Sequence, residues 1–150
     1  MDQLKIEGVT IKQLKIIPNF KGDVLHMMRN DEQDFKSFGE CYFSEINPLI
    51  IKGWKKHINQ TQNFSVPVGR INLVLFDDRQ DSKTFKNIIE ITLGRPDSYN
   101  RIKIPPGIFY SFKGISTSPA MIINITDIPH DKNESLTIDL INNYIPFEWD

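Results

Sequence analysis

Apolar residues recur along this chain in short, β-branched runs bounded by turn residues, with little helical rhythm. Residues 70–76 (Arg-Ile-Asn-Leu-Val-Leu-Phe) alternate polar and apolar, as do residues 88–93, which stop at Gly94-Arg95-Pro96. Residues 120–126 form an isoleucine-rich run, and residues 64–68 end at Gly69. Residues 10–17 read as a mixed edge strand closed by Pro18, and residues 24–29, 40–46, 49–54 and 101–104 as further short strands. The last is followed by Pro105-Pro106-Gly107, where proline forbids ladder pairing and forces a turn. About ten strands, spaced about ten residues apart, predict an all-β sandwich or barrel. Helical turns are predicted only near residues 31–38 and 136–142. The Asn- and Asp-bearing stretch 130–134 reads as a surface loop. No repeat or linker interrupts the pattern, so residues 1–150 are expected to form one domain.

Charge narrows the ligand class. Eighteen basic and nineteen acidic residues leave a net charge of −1, so no large field draws the chain to nucleic acid or an anionic membrane. An anionic ligand must instead meet a few placed cations. Cys41 is the single cysteine, which excludes an internal disulfide and offers no cysteine pair for zinc. The start Met-Asp-Gln-Leu-Lys-Ile lacks the features of a signal peptide. The longest apolar runs are far shorter than the ~20 residues a membrane helix needs. A cytoplasmic protein is expected.

Three ordered stretches then carry a resemblance. Ile50-Ile51-Lys52-Gly53-Trp54-Lys55-Lys56-His57 is similar to a Val-Leu-Arg-Gly-Leu-His strand. Gly69-Arg70-Ile71 through Phe76 precedes Asp77-Asp78-Arg79-Gln80-Asp81-Ser82-Lys83-Thr84-Phe85, which is similar to a hairpin reading Asp-x-Arg-x-x-Ser-x-Thr-Phe. Ile104-Pro105-Pro106-Gly107-Ile108-Phe109-Tyr110-Ser111-Phe112 is similar to Ile-Pro-x-Gly-Phe-x-His-Gly-Phe. With the closing Ile145-Pro146-Phe147-Glu148-Trp149, the chain resembles the dTDP-4-dehydrorhamnose 3,5-epimerases. The resemblance implies a cupin-type jelly roll (double-stranded β-helix), here with short peripheral helical turns. Asp78, Arg79 and Ser82 suit the knitting of a hairpin loop.

The resemblance also implies a chemistry. Its members act on a 4-keto-6-deoxy sugar linked to a nucleoside diphosphate, without metal or other cofactor. The ketone acidifies the neighbouring C–H bonds. A histidine oriented by an aspartate is the base, a tyrosine the acid, a lysine holds the enolate oxygen, and arginines grip the diphosphate. Carried over by position, the histidine falls on Lys55, a second histidine on Tyr110, the lysine near Gln62 and the tyrosine on Asn124. The aspartate falls on Asn142, three residues from Asp139. Lys52 and Lys21 stand where arginines do, and Glu40 and Tyr42 where amides face the nucleoside. Lysine holds phosphate as a point charge without arginine's bidentate fork.

His57 is the better titrating candidate. Positions 55 and 57 of a strand share a face, and imidazole ionises near neutrality. It is either the replacement base or a hydrogen-bonded interior histidine. Lys55 is a base only if its proton affinity falls by several pH units, and otherwise it holds an anion. Tyr110 and Phe112 stack on ligand or pack the core, with Tyr110 the candidate acid. His26, His57 and His130 lie too far apart in sequence to read as a metal site.

Three functions follow. One is a nucleotide-sugar epimerase or isomerase of cell-surface polysaccharide biosynthesis with an altered site, whose catalytic residues are His57, Lys55 and Tyr110. Its substrate would be bound by Lys21, Glu40, Tyr42, Lys52, Gln62, Phe112 and Asn124. Another is a non-catalytic sugar-nucleotide binder, and the third an assembly partner. A homodimer with exchange of the N-terminal segment, carrying Lys21, is implied, and no nucleic-acid or membrane partner.

Overall fold

The computed structural model describes residues 5–150. They form twelve strands: β1 (Thr10–Gln13), β2 (Ile16–Ile17), β3 (Val24–Leu25), β4 (Glu40–Ile46), β5 (Ile51–His57), β6 (Gln62–Val68), β7 (Arg70–Asp77), β8 (Ile88–Gly94), β9 (Asn100–Ile104), β10 (Ile108–Gly114), β11 (Ala120–Thr126) and β12 (Ser135–Thr137). One five-stranded sheet runs β1-β9-β6-β11-β4 and the other β12-β5-β10-β7-β8, with β2 and β3 forming a separate ribbon. This is the expected all-β jelly roll.

Strand periodicity explains the core. Along β7, Ile71, Leu73 and Leu75 enter the cluster between the sheets, with Leu93, Ile102, Ile104, Ile108 and Ile122. The alternate Val74 and Phe76 enter a second cluster with Trp54, Phe109 and Ile145, against which Phe147 and Trp149 pack. The C-terminal segment therefore covers the outer face of the second sheet, and β7 is buried on both faces. Each such aliphatic or phenyl side chain contributes roughly 1.5–3 kcal/mol when fully buried.

Two expectations change. The predicted edge strand 10–17 is divided at Leu14, which is buried and whose N–H donates to the Tyr99 carbonyl. The predicted helical turns are absent among the described residues. In 31–38 the acidic side chains serve arginines instead: Asp31 accepts from Arg29, and Glu32 and Asp34 accept from Arg101, a fully buried residue of β9. In 136–142, Leu136 and Thr137 pair with Lys56 and Lys55 across β5. Segments this short do not offset helix nucleation without a packing face.

The hairpin after β7 is knit together as its sequence implies, but around a different carboxylate. Buried Asp77 accepts from Arg79, Ser82 and Thr84. Burial works to raise its proton affinity, yet these donors outweigh it and pull its pKa to about 2. Asp78 turns away to Lys56 at 2.6 Å and to the Tyr144 hydroxyl. Gly107 closes over this loop at φ 87°, where an added Cβ would lie 2.5 Å from Cγ of Arg79.

Candidate active site

The site is built on β5 and β10. Between Tyr110 and Phe112 the register slips: Tyr110 faces Lys55, but Phe112 faces Lys52. One extra residue of β5 is accommodated at Gly53, with φ 133°. Without that bulge, positions 52 and 55 would point to opposite faces. With it, Lys52 and Lys55 both reach the wall of one interior cavity of about 210 Å³. Only glycine fits at the bulge, because a Cβ on Gly53 would stand 2.6 Å from Cβ of Ser111. The Ser111 hydroxyl fixes the bulge from behind, donating to the Lys52 carbonyl at 2.8 Å and accepting from Nε1 of Trp149 at 2.9 Å.

Six of the residues singled out in the sequence line this cavity: Tyr42, Lys52, Lys55, Tyr110, Phe112 and Asn124. Phe64 and Ile122 complete its apolar side. Phe64 meets Tyr110 edge-on at 5.3 Å and Phe112 at 6.5 Å between ring centroids. Nζ of Lys52 donates to the Glu45 carbonyl at 2.6 Å.

His57 and Gln62 lie directly behind that wall. Gln62 accepts from the Asn124 amide, which also donates to the Tyr42 hydroxyl at 2.8 Å, while Oδ1 of Asn124 accepts from the Asn63 N–H at 3.1 Å. Asn124 is thus fully engaged as a spacer between β11, β6 and β4. His57 and Tyr110 stack with an interplanar angle of 12°, and Nε2 of His57 lies 3.1 Å from the Tyr110 hydroxyl. Nδ1 of His57 contacts Oε1 of Glu134, whose Oε2 accepts the N–H groups of Asn59 and Gln60 at 3.0 and 3.1 Å.

Electrostatics follow from burial. His57 loses proton affinity through burial, a loss that its contact with Glu134 offsets only in part. Burial works to raise Glu134, but His57 and the two backbone donors outweigh it and keep the carboxylate ionised below the usual range. Burial drives the Tyr110 phenol far above its ordinary range. Tyr42 is likewise raised by burial, against the hydrogen bond from Asn124.

Lys21 and Glu40 are placed elsewhere. Lys21 sits in the turn between β2 and β3, exposed, with Nζ 5.6 Å from the Phe20 ring centroid. Glu40 opens β4 opposite Thr126 and is not part of the cavity wall. Among the described residues, no three His, Cys, Asp or Glu side chains gather as a metal site.

No family model matches the chain. Its fold superposes with a TM-score of 0.94 on a dTDP sugar isomerase from Desulfovibrio desulfuricans G20, at 45% identity, covering 96% of this chain and 92% of the other. The chain belongs to the nucleotide-sugar epimerase and isomerase family of the dTDP-4-dehydrorhamnose 3,5-epimerases. It is 28% identical over 146 residues to spore coat polysaccharide biosynthesis protein SpsL of Bacillus subtilis (strain 168), covering 96% of each chain. It is also 28% identical over 121 residues to the probable low-salt glycan biosynthesis epimerase Agl13 of Haloferax volcanii, covering 79% of this chain and 77% of the other. The dTDP-4-dehydrorhamnose 3,5-epimerase of Bacillus anthracis str. Ames shares the fold, with a TM-score of 0.83 at 18% identity over 97% of this chain and 89% of the other.

In this family member, sequence reasoning missed Glu134. The stretch 130–134 does not stay on the surface to its end, because Glu134 is 6% exposed. Asn142, where the resemblance puts the aspartate, instead accepts the N–H groups of Tyr144 and Ile145 and shapes a turn. Glu134 immediately precedes β12, and the pairing of β12 with the His57 end of β5 brings its carboxylate to the imidazole. Without the pairing, nothing connected residues 57 and 134.

Proposed function

We propose that this protein is an epimerase or isomerase of a nucleoside-diphosphate-linked 4-keto-6-deoxy sugar, acting in the cytoplasm in cell-surface polysaccharide biosynthesis. The observation that carries the reading is one interior cavity whose wall joins two lysines to a tyrosine backed by a buried histidine. The ketone makes the adjacent C–H acidic. His57 and Tyr110 form the proton-transfer pair. Lys52 and Lys55 supply positive charge to the diphosphate and the developing enolate oxygen. Phe112 and Tyr42 offer flat faces to the sugar or base. The name of the Desulfovibrio relative supports a dTDP sugar, and that of SpsL supports the polysaccharide context.

The working form in this reading is a homodimer. The β2–β3 ribbon supports it, because among the described residues its tip leaves Phe20 95% exposed and its second strand leaves Val24 54% exposed. A crossing ribbon would bring Lys21 to the partner's cavity, compensating for its remoteness from its own.

Incubation with dTDP-4-keto-6-deoxyglucose in deuterium oxide tests the activity. Deuterium entering at C3 or C5, read by mass and proton NMR, is the expected result. No exchange with this or other nucleotide-linked 4-keto-6-deoxy sugars would overturn the reading.

A further inference from the structure

We infer that Tyr110 is the group that exchanges a proton with the substrate, and that His57, fixed by Glu134, works only through Tyr110. This rests on the isomerase reading above and deepens it.

The geometry orders the three groups. Tyr110 belongs to the cavity wall, and His57 does not. His57 is 3% exposed and stacked behind the tyrosine, with Nε2 3.1 Å from the hydroxyl. Glu134 stands at the far nitrogen, held by the N–H groups of Asn59 and Gln60 on its other oxygen. An ionised carboxylate only accepts hydrogen bonds. Nδ1 of His57 therefore carries the proton, and Nε2 is left with a lone pair facing the Tyr110 hydroxyl. The tyrosine can donate only toward His57, which leaves its oxygen lone pairs available to the cavity.

In the resting enzyme this relay removes a proton. The substrate C–H bond breaks and its electron pair remains as the enolate. The proton passes to the Tyr110 oxygen as the tyrosine's own proton passes to Nε2 of His57. The resulting imidazolium is paired with the Glu134 carboxylate, so charge is conserved. No free phenolate forms, which matters because burial makes one costly here. Return of the proton runs the same path in reverse. A group that only filled the core would need neither a fixed tautomer nor a carboxylate aimed at Nδ1.

Glu134→Gln tests the positioning role with little change in volume. Its amide would donate to Nδ1 of His57, move the ring proton to Nε2, and turn the histidine from acceptor to donor toward Tyr110. With dTDP-4-keto-6-deoxyglucose in the full-length protein, kcat is expected to fall about 100-fold or more in Glu134→Gln and Tyr110→Phe. KM and dTDP affinity by calorimetry should stay within about threefold of the parent. Nitrogen-15 NMR of the resting protein should show His57 protonated at Nδ1 in the parent and at Nε2 in Glu134→Gln. Tyr110→Phe that keeps kcat, while His57→Gln abolishes it, would show that His57 meets the substrate directly and would overturn the relay. So would Nε2 protonation in an active parent enzyme. An inactive parent with correctly placed Nδ1 protonation would instead overturn the isomerase reading, and with it the relay's use.

Discussion

At the scale of residues, buried ionisable groups dominate behaviour. His57 binds a proton less readily folded than unfolded, so acidification through about pH 6.5 favours the unfolded chain. Glu134 shifts in the same direction: its stabilising contribution is complete above about pH 4.3 and is lost as pH falls through its lower folded value. Both trends make acid destabilising. The urea midpoint of the parent should fall between about pH 7 and about pH 5.5, and His57→Gln should flatten that decline. Equal slopes in the two proteins would contradict this account of His57. The lysines separate by role. Lys52→Met should raise KM by about tenfold or more, the value of one charge-assisted contact of about 1.5–3 kcal/mol, as steady-state kinetics would read.

At the scale of elements, two devices hold the site. The bulge at Gly53 turns a strand of mixed pattern into one that sends both Lys52 and Lys55 inward. Gly53→Ala combines a positive φ with a 2.6 Å clash against Ser111 and should cost about 2–3 kcal/mol in denaturant titration. The second device is Arg101. Its guanidinium donates to the Met27 carbonyl at 2.7 Å and to Glu32 and Asp34, and so pins the segment ahead of β4 onto β9. Glu32 responds, its pKa drawn down to about 2 chiefly by Arg101 against the opposing effect of burial. Arg101→Leu should cost about 2 kcal/mol, less than a fully buried pair because the Asp34 side chain is 30% exposed. Faster hydrogen exchange confined to residues 26–34 would be the local signature.

At the scale of the whole molecule, the ribbon and the C-terminal segment are the features that reach beyond the barrel. Sedimentation should find a dimer. Phe20→Glu with Val24→Glu should shift it toward monomer and weaken dTDP binding, if Lys21 serves the partner's cavity. A dimer unaffected by both changes would show that the ribbon is not exchanged.

What the sequence determined by itself is what periodicity and turn chemistry encode: short alternating runs, glycine and proline breaks, and hence the antiparallel jelly roll. Six cavity residues were legible because the resemblance fixes their strand positions, and strand alternation then put positions 55 and 57 together. Only tertiary structure decided what depends on long-range pairing. The bulge that brings Lys52 inward arises from the mismatch with β10, and Lys52's own run does not encode it. Glu134 meets His57 across 77 positions of chain because β12 docks on β5. The acidic segment 31–34 lost its helical prospect to a buried arginine near residue 100. Local pattern specifies which face a side chain takes; which other chain segment it meets is set by the burial of the whole fold.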